Sequence, residues 1–350
     1  MKKVDYIIVG QGIAGSVLAY TLMQHQQSVL VVDEEKENTS SKIAAGLCNP
    51  VVFKRLTKSW MVDELMPTAL AFYQHQEKLL QNQFYYPLPI YKLFVGEEEK
   101  EFWRQRCNEP EIMDWVSHKV EFPFDKTLVD YPFGAASTLQ SGFLQTAKWL
   151  DAFKTYLKNN DSFLGEKFDY NNITFERDGI TWNKIQAKKI IFCEGYQTIH
   201  NPYFNWLSLK LTKGEVLTVD FKRLQLSSAI NKGVFVLPYS NEYKLGATYD
   251  WDHLNEETTE IGKAELLKKA SAFIKDEIVV KSHKAGIRPT VSDRRPLLGI
   301  HPKHKQLAVF NGMGTKGVII APYFAKILAK HLLENKPLSK EVDINRFYHF

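Results

Sequence analysis

Gly10, Gly12 and Gly15 stand as Gly-x-Gly-x-x-Gly directly after an apolar run at residues 6–9, and a second apolar run at 28–32 closes on an acid, Asp33. Each residue type has a task. Gly10 permits a tight turn, Gly12 lets the backbone approach a pyrophosphate, and Gly15 allows a helix to pack closely on its strand. The helix that opens at Ile13 and Ala14 presents unpaired N–H groups and its positive dipole end to phosphate. Asp33 can accept hydrogen bonds from a ribose hydroxyl, and it would repel a 2′-phosphate there. Strand, glycine turn, helix, strand and acid, with the acid about 20 residues on, form the pattern of a bound dinucleotide. A βαβ unit without phosphate would not need three glycines in that order.

A second glycine-rich turn, Asn311-Gly312-Met313-Gly314-Thr315-Lys316-Gly317, joins an apolar run at 307–310 to an apolar helix running through Leu333. It offers backbone N–H groups to an electron-rich ligand for the same reason as the first. A turn that merely joined strand to helix would need one glycine rather than three.

These turns need elements to position them. Residues 34–41 read as a loop, followed by Ile43-Ala44-Ala45-Gly46-Leu47, small residues that let a ligand approach the backbone. Residues 60–81 carry a partial apolar face with Pro67 in an early turn, and 97–108 read as a charged helix. A short strand at 189–193 ends at Glu194-Gly195. In between, 215–221 alternates as a strand, 234–237 and 243–248 form a hairpin around Ser240-Asn241-Glu242, and 261–274 is an amphipathic helix. Strands with one face to water suit an antiparallel sheet.

The chain has 350 residues, 44% of them hydrophobic, and a net charge of +5. The charges are scattered, so no basic run marks a nucleic-acid surface. Three cysteines, Cys48, Cys107 and Cys193, are widely separated, with no CxxC and no His/Cys cluster, so no metal site is expected. Lys2 and Lys3 precede an apolar run, but the glycine motif within it and the lack of a small-residue cleavage site argue against a leader. No uninterrupted apolar stretch is long enough to span a bilayer. A soluble cytoplasmic protein is expected.

Taken in order, these segments resemble the D-amino-acid oxidase-like FAD oxidoreductases, the group with glycine oxidase and sarcosine oxidase. The resemblance covers Gly10 to Gly15, Ser40-Ser41-x-x-Ala44-Ala45-Gly46, residues 190–195, Leu245-Gly246-Ala247-Thr248, Gly286-Ile287-Arg288-Pro289 with Asp293 and Pro296, and Gly312 to Gly317 with Ile320-Ala321-Pro322. It implies an α/β fold, with a Rossmann-type (GR2-like) FAD-binding domain (1–48, 139–208 and 284–350) interrupted by an antiparallel-sheet substrate domain (49–138 and 209–283). It also implies non-covalent FAD rather than NAD. Pyrophosphate contacts fall to Gly10, Gly12, Ile13, Ala14 and Gly15, and the adenosine ribose to Asp33 and Glu34. Ser40, Ser41, Ala45, Gly46 and Leu47 lie along the ribityl chain and flavin. Ile173 would offer backbone to the adenine, Gly195 follows the third strand, and Gly312, Met313, Gly314, Thr315, Lys316 and Gly317 face the flavin. Family members often carry Glu where this chain has Asp33, a shorter reach with the same chemistry.

The resemblance further implies amine chemistry: hydride leaves the Cα of an amino acid or secondary amine for flavin N5, and the imine is hydrolysed. In glycine oxidase-like members the arginine of Gly-x-Arg-Pro, here Arg288, holds the substrate carboxylate, which suits a planar guanidinium that stays charged when desolvated. A structural salt bridge from Arg288 to Asp293 is the other placement. Lys316 either adds a positive charge beside the flavin or points to solvent, and Tyr249 either lines the pocket or belongs to core or rim. Where relatives can carry a basic residue, Thr315 supplies only a hydroxyl, so Lys316 substitutes or Arg288 acts alone. Arg288, Tyr249 and Lys316 are the candidate catalytic residues, acting on a small-molecule amine. Two other readings are an amine dehydrogenase with a non-oxygen acceptor and a tRNA-uridine side-chain modification enzyme, against which the modest charge counts. A purely structural FAD is a third.

Overall fold

The computed structural model describes residues 2–348. Its organising element is a six-stranded sheet in the order Phe163–Leu164, Val29–Val32, Tyr6–Val9, Lys189–Phe192, Leu307–Asn311 and Leu297–Ile300. All neighbours run parallel except the last pair. The central strands are continuous Val/Ile/Leu/Phe runs because both faces are covered, as parallel sheets require. Helices Ile13–Gln24, Thr146–Asn159 and Gly317–Glu334 pack together on one face, with Val62–Leu80 behind them. The other face is covered by an aromatic layer that includes Phe168, Trp182, Phe192 and Phe204.

The second large sheet has seven strands: Ile278–Arg288, Thr212–Phe221, Glu242–Gly246, Val234–Tyr239, Ala229–Lys232, Ile90–Leu93 and Ala135–Ser137. It is antiparallel except where Ala229–Lys232 pairs in parallel with Ile90–Leu93. The hairpin turns at Ser240, in the left-handed region at φ 58°. Two sequence expectations change here. Thr212–Phe221 is not half-solvated but buried along nearly its whole length, because helix Glu260–Ser271 packs on this sheet. In addition, Ile278–Arg288 is one unbroken strand through the boundary expected at 283/284, so Arg288 ends a strand of the second sheet while its chain continues into the first.

Residues 34–41, expected as a loop, end in a one-turn helix, Ser40–Ile43, capped by the Thr39 hydroxyl accepting from Lys42 N–H. The apolar helix after the second glycine turn spans Gly317–Glu334 and the Pro67 helix spans Val62–Leu80, close to expectation. No described helix is long and apolar enough to cross a membrane.

Candidate functional site

A cleft of about 700 Å³ follows the carboxyl ends of the parallel strands and continues to the second sheet. That is where open α/β sheets bind ligands, because helix N-termini and turn amides converge there. It is lined by Gly10, Gly12, Ile13, Ala14, Asp33, Glu34, Ser40, Ser41, Ala45, Gly46, Leu47, Gly195, Met313, Gly314, Thr315, Lys316 and Gly317, together with Tyr249 and Arg288. Segments separated by some 300 residues in sequence thus meet on one surface.

Three expected residues are not on the lining. Gly15 lies behind it: a Cβ there would sit 1.9 Å from the Gly10 carbonyl oxygen, so its work is helix-to-strand packing. Gly312 makes the turn at φ +74° and packs against Val291 and Leu297. Ile173 is the clear misplacement. Its strand, Ile173–Glu176, is the edge of a small sheet with Gly179–Trp182, and the lining there is Glu166, Lys167 and Phe168. The strand expected at Ile173 exists, but pairing drew it away from the cleft.

At the end near the first glycine turn, both Asp33 oxygens accept backbone N–H bonds, Oδ2 from Gln11 and Oδ1 from Glu35, each at 2.7 Å. The acid therefore fixes the glycine loop, and the remaining lone pairs of a carboxylate still allow it to accept from a hydroxyl. Ser41 Oγ accepts from the Ile13 N–H at 3.1 Å, holding the Ser40–Ile43 turn over the helix N-terminus.

Glu194 was visible in the sequence only as part of a motif, yet it is a buried carboxyl on the lining. Tyr170 Oη donates to its Oε1 at 2.6 Å and Asn201 Nδ2 to its Oε2 at 2.8 Å. Burial raises its pKa to about 7 against those two bonds, which act downwards. The signal that could have found it is an acid at the carboxyl end of a parallel strand.

At the other end, Lys316 does not point to solvent. Its Nζ donates to the Asn49 carbonyl at 3.3 Å and to Ser59 Oγ, and burial lowers its pKa to about 8. Thr315 is the exposed residue of the pair. Lys316 caps helix Gly317–Glu334, whose first N–H groups, on Gly317 and Val318, have no acceptor among the described residues. A lysine cation and a helix N-terminus therefore act on the same stretch of cleft.

Arg288 is not paired with Asp293. That acid is held by Arg346, with Nε to Oδ2 at 2.8 Å. Arg288 instead donates from Nη1 to the Lys213 carbonyl and from Nη2 to the Thr248 carbonyl, both at 3.2 Å. Its guanidinium carbon lies 4.6 Å from the centre of the Tyr249 ring. Gly214 makes room for it, because a Cβ there would fall 1.8 Å from Nη2. Burial pulls its pKa down from the ordinary guanidinium value, with Tyr249 opposing. No carboxylate pairs with Arg288 among the described residues. It is a cation with spare donors, and the cleft is where those donors can be used.

The lining fits an FAD. Around Gly314 the nearest atom to an added Cβ is 3.8 Å away, so the second glycine turn leaves its face open to a ligand. The cleft volume lies within the usual range for cofactor sites. The acid, the two glycine turns and the cationic end follow the order that adenosine, diphosphate and flavin require.

The fold and site define a flavin-dependent oxidoreductase. Residues 5–331 match the family model described as FAD dependent oxidoreductase, and the chain belongs to that family. Among curated relatives, it is 22% identical over 375 residues to glycine oxidase of Bacillus subtilis, covering 97% of this chain and 95% of the relative. It is 24% identical over 381 residues to the tRNA 5-methylaminomethyl-2-thiouridine biosynthesis bifunctional protein of Marinobacter nauticus, covering 98% of this chain but only 58% of that longer protein. Among solved structures, glycine oxidase of Geobacillus kaustophilus superposes with a TM-score of 0.77 at 21% identity, covering 99% of this chain and 98% of that one.

Proposed function

We propose that the chain oxidises the C–N bond of an amino acid or secondary amine that carries a carboxylate, with FAD held non-covalently. The observation that carries this reading is Arg288, a largely buried guanidinium on the cleft with no carboxylate beside it among the described residues. A guanidinium has five N–H donors, and two of them are spent on the Lys213 and Thr248 carbonyls. The remaining three suit a bidentate carboxylate.

FAD, when bound, would supply the two-electron acceptor for oxidation of the amine to an imine, which water hydrolyses. The chain's own residues do the rest. Arg288 anchors the carboxylate and so fixes which carbon is presented. Lys316 and the Gly317 and Val318 N–H groups supply positive potential where negative charge grows on the ligand's edge. No side-chain base is needed if the amine binds neutral. Support for non-covalent binding comes from the thiols: Cys48, Cys107 and Cys193 are all buried, and burial pushes Cys48 up to about 12.

The test is anaerobic visible spectroscopy of the FAD-loaded protein with glycine, sarcosine, proline and both enantiomers of common amino acids. Bleaching of the flavin band by a carboxylate-bearing amine is the expected result. A band that none of them bleaches refutes the reading. Fast recovery of colour on admitting air separates an oxidase from a dehydrogenase.

A further inference from the structure

Glu194 is a buried acid on the cleft that the proposed reaction does not use. It follows the strand Lys189–Phe192, whose neighbour in the sheet, Tyr6–Val9, runs straight into the first glycine turn. The two strand ends stay together, with Cys193 N–H donating to the Val9 carbonyl at 2.8 Å. A Cβ on Gly10 would fall 3.5 Å from the Glu194 nitrogen. The acid therefore stands beside the turn that receives a diphosphate.

Its surroundings hold it without neutralising it. Tyr170 Oη and Asn201 Nδ2 are its hydrogen-bond donors, and both are uncharged. Asn201 is fully buried and its Oδ1 accepts from the Tyr203 and Phe204 N–H groups, which leaves Nδ2 for Glu194. The charges that share this end of the cleft are mostly of the same sign. Asp33 and Glu34 come from the end of Val29–Val32, the latter paired with Lys36 at 2.7 Å, and Glu166 comes from the segment that carries Tyr170. Tyr196, in the turn Gly195–His200, donates to Glu256 at 2.8 Å. Lys167 and His200 also line this end, but both are exposed and screened by water. Cys193, next in the chain, is a neutral thiol that burial pushes well up. No lysine, arginine or histidine forms an ion pair with Glu194 among the described residues.

An ionised carboxylate here would face the cofactor's diphosphate with no cation between them. Two like charges in a desolvated site drive one of them to take up a proton, and the diphosphate is the weaker base. We propose that Glu194 binds the dinucleotide as a neutral acid, donating its O–H to an oxygen of the adenosine-diphosphate half, so that FAD binding takes up one proton. Through its lone pairs a neutral carboxyl keeps the Tyr170 and Asn201 bonds and still has one hydrogen to give. Burial alone already raises the Glu194 pKa to about 7, and an adjacent diphosphate raises it further. This role concerns the cofactor and holds whichever amine is oxidised.

The experiment dilutes the FAD-loaded full chain at pH 6.5 and at pH 8.5 and reads released flavin by its fluorescence, which gives the dissociation constant. With one proton taken up, affinity is flat below about 7 and falls about tenfold per pH unit above it, so the constant should rise roughly 20-fold between the two buffers. ADP-ribose displacing FAD should show the same rise in its own constant, although it lacks the flavin ring that Lys316, with its pKa of about 8, would otherwise serve. Glu194→Gln keeps an N–H donor and cannot ionise, so its rise for ADP-ribose should shrink below roughly three-fold and it should bind more tightly than wild type at pH 8.5. His200→Gln should keep the wild-type rise. Equal wild-type constants at the two pH values, or an undiminished rise in Glu194→Gln, overturn the proposal. So does a Glu194→Gln protein of wild-type thermal stability that binds more weakly at both pH values, since that marks an ionised acceptor.

Discussion

Replacing Arg288 by leucine removes the guanidinium while keeping much of its bulk. Hydrogen bonds to charged groups contribute about 1.5–3 kcal/mol each. Losing two to a carboxylate costs at least about 3 kcal/mol, or roughly 100-fold in affinity. The same change strips the Thr248 carbonyl of its donor, at about 1–3 kcal/mol for an acceptor left unpaired, whereas the Lys213 carbonyl keeps the Asp250 N–H. The variant should therefore unfold at a lower temperature, and its flavin content must be matched to wild type by absorbance before kinetics are compared. The assay is anaerobic stopped-flow reduction by sarcosine, which separates dissociation constant from reduction rate. The expected loss falls mainly on the dissociation constant, and the competing ligand acetate should lose affinity in parallel. Arg288→Lys should recover part of it, since an ammonium keeps the charge without the planar fork. N-methylethylamine, which has no carboxylate, should react with variant and wild type alike. Unchanged sarcosine affinity in a variant with full flavin content would falsify the carboxylate role.

Three further outcomes follow from the same geometry. Gly15→Ala places a methyl 1.9 Å from the Gly10 oxygen, so the glycine turn must shift; flavin retention after gel filtration should drop and the apoprotein lose about 1–3 kcal/mol of stability. In the apoprotein, Lys316 has its pKa lowered from 10.5 to about 8, so the unfolded chain binds more protons between those values and stability should rise with pH across that window. Denaturant melts of Lys316→Met should lack this rise; a slope equal to wild type would argue that Lys316 does not titrate there. Glu194 has the opposite sign: its pKa is raised from 4.5 to about 7, so the folded state binds more protons and stability should fall as pH climbs through that interval. Glu194→Gln should flatten this fall, and melts at several pH values from 4.5 to 7.5 would show it.

The local parts of the site were legible in the sequence because they are built from residues adjacent in the chain. A strand, Gly10-x-Gly12-x-x-Gly15, a helix and Asp33 impose their own backbone geometry, and the second glycine turn does the same for helix Gly317–Glu334. Matching such units in order along the chain was enough to identify the cofactor and the family. What the tertiary structure alone decided concerns partners distant in sequence. Pairing of Ile278–Arg288 with Thr212–Phe221 sets Arg288 opposite Thr212, where the Lys213 and Thr248 carbonyls rather than Asp293 receive the guanidinium. Lys316 turns inward because Asn49 and Ser59, more than 250 residues earlier, offer it acceptors. Ile173 looked plausible as a strand residue and is one, but its hairpin with Gly179–Trp182 carries it off the cleft. Residue type and spacing fix a turn, since a turn's bonds close within a few residues; the direction of a long polar side chain depends on which distant donors and acceptors folding brings within about 3 Å.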